Sequence, residues 1–179
     1  MRWRNTPTGF GLISRLLHWA MAALILAQIP LGLQIATMQL GLANLWLFGL
    51  HKTIGFVALI LVLIRLVWHR ITPPPPPLGD ARSLPNRAAR AVHVLIYACL
   101  VIIPLSGWVA SAATGLDVVI FNQITLPAIA PVSEAWENTG FLIHNATTKL
   151  LMALLLAHIA GAALRTVKGD GTLRRMIRG

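Results

Sequence analysis

Acidic residues are nearly missing from this chain. Of its 179 residues five are Asp or Glu against fifteen Lys or Arg, and charged residues make up 11% where hydrophobic ones make up 56%. So little charge does not cover a soluble domain of this length, which leaves a polytopic membrane protein as the class. The formal net charge of +10 does not read as nucleic-acid binding, because no segment carries a periodic basic face. Cysteine is almost absent as well. Cys99 is single and sits in an apolar run, which excludes an intramolecular disulfide framework and, with no C-x-x-C-H, covalent c-type haem attachment by that motif.

What the chain does have is apolar runs of spanning length. Four are expected to cross a bilayer, at about 12–36, 47–68, 91–113 and 140–165, within a single domain over 1–179. Each is near the roughly 20 residues that a spanning helix needs, and lipid favours helices because every backbone group must find its partner internally. The fold class is therefore all-α, a four-helix membrane bundle. The first run is too long for the apolar core of a cleavable signal and is read as a span. Pro30 with Gly32, and Pro104 with Gly107, mark expected kinks in the first and third spans.

The basic residues give an orientation. Arg2, Arg4 and Arg15 lie at the start of the first span; Arg65, Arg70, Arg82, Arg87 and Arg90 flank the second connection. Arg165, Lys168, Arg174, Arg175 and Arg178 close the chain, leaving Lys52 and Lys149 for the other side. By the positive-inside rule both termini and the connection with Pro73 to Pro77 are cytoplasmic. The five prolines favour an extended, stiff linker. The opposite connection, 111–139, is long and apolar, with Phe121, Pro127, Pro131 and Trp136. It is expected to form a short interfacial helix that covers something beneath it.

Ionisable residues at membrane depth point to function, and six histidines are available. His144 and His158 lie fourteen residues apart on the last span, on one helix face and about 21 Å apart along the axis. His18 matches His158 in depth near the cytoplasmic side, and His51 matches His144 near the outer side. Two imidazoles facing each other across a bundle at one depth form an axial ligand set for haem iron, so two such levels read as two haems stacked across the membrane. Small residues beside the histidines on their own helices (Ser14, Ala22, Gly55, Gly140, Gly161, Ala162) are consistent with a flat macrocycle, although small residues also let membrane helices approach one another. His93 and His69 share the inner depth and compete with His18. His69, beside Trp68, reads as interfacial. His93 reads either as an interface residue or as a partner for a haem propionate or a quinone. Arg15, Arg65, Arg90 and Arg165 are candidate propionate partners.

Several motifs resemble one family. R-x-x-H-W at Arg15 to Trp19, L-H-K-x-x-G at Leu50 to Gly55 and R-L-x-W at Arg65 to Trp68 are similar to bacterial cytochrome b561 proteins. So are H-x-L-I-Y at His93 to Tyr97, I-P-L-S-G-W at Ile103 to Trp108, and K-x-D-G-T-L-R-R-M at Lys168 to Met176. The resemblance covers nearly the whole chain with its motifs in order. It implies a four-helix inner-membrane cytochrome with two b haems and iron ligands at His18, His51, His144 and His158; by depth and charge, Arg15, Lys52 and His93 are candidates for further cofactor contacts. It implies electron transfer between the periplasmic face and membrane ubiquinone; some relatives oxidise superoxide there and reduce ubiquinone. Arg165 stands where relatives commonly carry a further histidine. The outer connections are poor in positive charge, with Asp117, Glu134 and Glu137 against Lys52 and Lys149, which is a weak lure for an anion. Three readings follow: a superoxide:quinone oxidoreductase, a non-catalytic electron-transfer subunit serving a periplasmic redox protein, and a cofactor-free membrane scaffold. The donor, the quinone and the oligomeric state are not encoded in any motif.

Overall fold

A computed structural model describes residues 2–39 and 41–179 of the chain. Four long helices carry the architecture: α1 (Leu12–Thr37), α2 (Leu45–Ile71), α3 (Leu84–Ala113) and α4 (Glu134–Val167). All four are long and apolar enough to cross a membrane, and the protein is a four-helix membrane bundle. A single 3-10 turn, Leu42–Asn44, precedes α2, and a short α5 (Thr172–Ile177) follows α4.

The helices outrun the apolar stretches. α3 begins at Leu84 with a proline in its first turn, and α4 begins at Glu134 with two glutamates in its first turn. Proline tolerates that position because its missing N–H has no helical partner there, and acidic groups complement a helix N-terminus. Hydropathy marks only the part of a helix that lipid touches. Backbone hydrogen bonds carry these helices past it, through Arg87 and Arg90 in α3 and through Glu137 to Thr139 in α4. Both α1 and α3 continue through their interior prolines, Pro30 and Pro104.

α1 packs along α2, α2 along α3, and α3 most closely along α4; among the described residues α4 packs closely only on α3 and α5. The α3–α4 approach is set by Gly140, where a Cβ would lie 2.8 Å from the Cβ and N of Ala110. Small residues are what let membrane helices come this near. Two apolar clusters fill the middle. Met21, Leu59 and Val62 form one, with Tyr97 and Leu100 against it; Cys99, Leu151 and Leu154 form the other, with Ile25 and Ile96. Much of the remaining apolar surface faces outward, as at Leu26 and Leu156, where a bilayer is the solvent.

The long apolar connection differs from expectation: no helix forms between α3 and α4. Instead β1 (Val118–Ile120) pairs antiparallel with β2 (Ile124–Leu126). Both strands consist of branched residues, Val-Val-Ile and Ile-Thr-Leu, with Val118 and Ile120 buried, and Phe121 and Asn122 turn the chain at φ 53° and 55°. Consecutive left-handed residues make a tight hairpin turn, which suits Asn and outweighs any helical tendency in so short a segment. The hairpin does cover something: it packs on the start of α2, and the Phe121 N–H donates to Thr53 Oγ1 at 3.0 Å.

At the other end the termini are bound together. Asn5 Nδ2 donates to Thr72 O at 2.8 Å, and Arg175 donates to Pro76 O and Pro7 O at 3.0 and 3.2 Å. Arg15 Nη1 donates to Ile177 O at 2.6 Å, and Trp19 Nε1 to Met176 O at 3.1 Å. The N-terminal segment, the proline linker and α5 thus close this terminal face.

Candidate cofactor site: two histidine pairs across the bundle

α4 meets α1 and α2 through side chains rather than through backbone packing, and histidines stand at the meeting points. His51 on α2 faces His144 on α4 with ring centres 6.1 Å apart and planes at 67°. His18 on α1 faces His158 on α4 at 6.2 Å and 62°. The levels are about 21 Å apart along α4, the hairpin covering the first and the terminal face lying beyond the second.

The seat of His144 is built by three residues of α3. Its Nδ1 lies 2.8 Å from the carbonyl oxygen of Ile103. A carbonyl only accepts, so Nδ1 carries the proton and Nε2 keeps its lone pair free for a ligand. Ser106 Oγ donates to the same carbonyl at 3.0 Å. Gly107 lets the ring lie against the helix: a Cβ there would stand 3.0 Å from Nδ1 and 3.2 Å from Cε1 of His144. His51 is seated in a parallel way by Gly32 on α1, where a Cβ would be 3.2 Å from its Cε1. Gln28 Nε2 donates to the His51 carbonyl at 2.8 Å and fixes the backbone, while His51 Nδ1 itself is buried without a partner among the described residues.

The glycines that touch imidazoles are on neighbouring helices, Gly32 on α1 for His51 and Gly107 on α3 for His144. Gly140 is used to bring α3 to α4, Gly55 lies against Gln28, and a methyl group added at Gly161 would meet nothing within 4 Å. Ser14 accepts a bond from Trp68 Nε1 at 2.9 Å. The reason is geometric: a residue one turn away on the same helix borders an imidazole's flank, whereas the ring tip reaches the next helix.

At the level of His18 and His158 a third imidazole is present. His93 on α3 lies edge-on to His158 with ring centres 5.0 Å apart. Arg65 on α2 is fourteen residues after His51, so it shares that helix face at this lower level. It is buried, and its Nε donates to Tyr97 Oη at 2.7 Å. Tyr97 in turn lies 3.4 Å from His69 Nδ1. The structure thus places His69 in a side-chain chain with Tyr97 and Arg65, apart from either pair.

The other sequence candidates are placed as follows. Arg15 is buried and turned to the Ile177 carbonyl; Lys52 is half-buried beside His51; Arg90 is exposed. Arg165 holds Asn86 Oδ1 at 2.6 Å and Asp170 Oδ2 at 3.3 Å, which ties α4 to α3 and to the turn before α5. Burial works against the charged form of Asp170, but hydrogen bonds from Thr172 and the Arg165 guanidinium prevail and hold its carboxyl below the usual 3.8. Lys149 is exposed; five residues after His144, it points about 140° away round the helix. Gln28, Tyr97 and the Ile103 carbonyl escaped sequence reasoning. The signal for the last was the motif at Ile103 to Trp108, with its glycine three residues after Pro104.

The comparisons with known proteins agree with this architecture. A family model described as prokaryotic cytochrome b561 matches residues 9–179. Cytochrome b561 homolog 2 of Escherichia coli (strain K12) is 30% identical over 181 aligned residues, which cover 99% of this chain and 95% of that protein. With its four spanning helices and a family match over nearly its whole length, the chain belongs to the prokaryotic cytochrome b561 family, haem-binding b-type cytochromes that carry electrons in the membrane.

Proposed function

We propose that the protein holds two b haems, one between His51 and His144 and one between His18 and His158, and carries electrons across the membrane between them. The observation that carries this reading is the spacing of the rings. With metal–nitrogen bonds of about 2.0–2.1 Å and about 1.1 Å from nitrogen to ring centre, an atom held between two imidazoles separates their centres by about 6.2–6.4 Å. The two pairs stand at 6.1 and 6.2 Å. The His93–His158 spacing of 5.0 Å is too short for an atom in between, which favours His18 as the partner of His158 and leaves His93 beside the site.

Haem supplies the one-electron chemistry when bound; the chain's residues set its surroundings. Ile103 holds the proton on His144 Nδ1, which orients the ring and raises its basicity. Gly32 and Gly107 admit the rings, and the hairpin shields the His51–His144 level from water. Arg65 is a buried cation whose guanidinium, among the described residues, hydrogen-bonds only Tyr97 Oη, and a buried charge calls for a counter-charge. The carboxylate edge of a haem at the His18–His158 level meets that need, with Arg15 as a more distant candidate.

The terminal face is cytoplasmic and the hairpin face periplasmic in this reading, as the basic residues require, and the membrane is the bacterial inner membrane. Electrons enter at the hairpin face and leave to ubiquinone. Superoxide as donor gives a balanced reaction: two superoxide ions each lose one electron to become dioxygen, and the two electrons with two protons convert the quinone to the quinol. Lys52 beside His51 is the cation that would draw the anion in, and His93, 5.0 Å from His158 between ring centres, is our candidate for the quinone contact. Stopped-flow mixing of the oxidised protein with superoxide, with and without quinone, tests this: the haem bands should reduce within milliseconds and reoxidise only when quinone is present.

A second reading has its own support, the apolar outer surface. Phe121, Ile124, Val132 and Trp136 are 55%, 52%, 74% and 51% exposed. A periplasmic redox protein docking there would deliver electrons to a non-catalytic cytochrome subunit. Negligible reduction by superoxide in the same experiment would favour it.

A further inference from the structure

At the terminal face a cavity of about 260 Å3 opens among Arg2, Arg4, Thr6, Thr8, Arg15 and Arg178. Four arginines line it from three parts of the chain: the N-terminal loop, the first turn of α1 and the residues after α5. No acidic side chain lines it among the described residues, and the Arg165–Asp170 ion pair involves none of its lining residues. A carboxylate at position 179 would offset one of the four charges and leave three. Like charges gathered in this way repel, and an anion among them relieves the repulsion.

A second observation points the same way. Arg15 is 9% exposed, and although its Nη1 donates to Ile177 O, its Nε is buried without a partner among the described residues. An N–H buried with no acceptor is costly and calls for an explanation. The guanidinium fork matches phosphate oxygens in pairs, and Thr6 and Thr8, whose hydroxyls share a 3.2 Å hydrogen bond, also line the cavity. The positive-inside rule accounts for basic residues at this face, yet it does not gather them. Arg82, Arg87 and Arg90, at the same end and exposed like Arg2, Arg4 and Arg178, do not line the cavity.

We infer that this cavity is a phosphate-binding site, which takes either the headgroup of an anionic phospholipid or free phosphate. The cavity borders the start of α1, with Trp3 and Trp19 exposed nearby, at the depth where headgroup phosphates lie beside interfacial aromatic residues. A bound phosphate would join the N-terminal loop, α1 and the C-terminal segment at one point.

The test uses the purified full-length cytochrome with its haem in neutral detergent, titrated with phosphatidylglycerol, phosphatidylcholine or inorganic phosphate. Binding is read by native mass spectrometry and by the midpoint of thermal unfolding. Phosphatidylglycerol should bind saturably and raise the midpoint, and phosphatidylcholine should not. The double variant Arg4→Gln/Arg178→Gln should bind phosphatidylglycerol at least tenfold more weakly. Arg82→Gln/Arg87→Gln, with the same loss of charge, should stay within twofold of the unaltered protein, and haem absorbance should be unchanged in both. Inorganic phosphate that displaces the lipid makes free phosphate a ligand; phosphate without effect assigns the site to the lipid. Equal binding by both double variants, equal binding of the two lipids, or loss of haem from Arg4→Gln/Arg178→Gln overturns the inference. If that variant does not fold, a photoactivatable phosphatidylglycerol on the unaltered protein decides: labels within residues 2–10 and 176–179 support the site, and labels scattered over α3 refute it.

Discussion

Replacing Gly107 with alanine is the sharpest probe of how α3 seats His144. The added Cβ would stand 3.0 Å from Nδ1 and 3.2 Å from Cε1 of the imidazole, about 0.4 Å inside ordinary contact at the closer atom, so the ring or the helix must give way. The ring cannot retreat without stretching its 2.8 Å bond to Ile103 O. Losing a hydrogen bond of this kind costs about 0.5–1.5 kcal/mol, and overpacking costs about 1–3 kcal/mol. Together these lie between about tenfold and about two-thousandfold in an equilibrium constant. Disturbing the outer partner of a metal-bound histidine typically costs about 10–100-fold in affinity, which sets the expected size. The assay is haem transfer from the purified protein to an excess of a haem-acceptor protein, followed by absorbance. Gly107→Ala should release one of the two haems about 10–100 times more readily and leave the other unaffected. Gly32→Ala, whose Cβ would meet His51 at 3.2 Å, should show a smaller effect. Gly161→Ala, with open space around it, should show none. Equal retention in all three variants would refute the seating argument.

Other expectations follow from named contacts. His93→Ala should keep both haems and slow their reoxidation by added quinone; loss of a haem instead would make His93 a ligand in place of His18. Tyr97→Phe removes the acceptor of the buried Arg65 Nε and should lower stability by about 1–3 kcal/mol, read as a lower thermal midpoint with haem still bound. If superoxide is the donor, its reaction should slow as ionic strength rises, because the Debye length shrinks from about 30 Å at 0.01 M to about 10 Å at 0.1 M, and slow further in Lys52→Gln. A rate indifferent to both favours a protein donor. In that case substituting Trp136 should weaken reduction by the partner without changing the haem spectra.

The bundle is legible in the sequence because a bilayer imposes one strong rule, an apolar run of spanning length, and the four runs obey it. The histidine levels are legible because fourteen residues return a helix to the same face, so His144 and His158 can be matched in depth with His51 and His18 before any contact is known. Depth alone leaves His93 and His69 in competition, since which way a helix faces depends on packing that one sequence does not display. Ring-to-ring distances narrow that choice. The hairpin at Val118 to Leu126 escapes a reading by composition, because its signal lies in two short branched runs, Val118 to Ile120 and Ile124 to Leu126, set about Phe121 and Asn122. The seats of the imidazoles are illegible for a different reason: Gly32 and Gly107 read as partners of nearby prolines in kinks, while their neighbours are rings on other helices. Helix ends such as Leu84 and Glu134 lie beyond the reach of hydropathy because they stand outside lipid.

The central claim is that two histidine pairs across the bundle hold two haems, and counting haem per chain in ligand variants tests it most directly. The pyridine haemochrome of the purified protein should give two b haems per chain. His144→Ala and the double variant His51→Ala/His144→Ala should each give one, and His18→Ala should give one with the other absorbance component missing. Two haems retained in His51→Ala/His144→Ala would contradict the account.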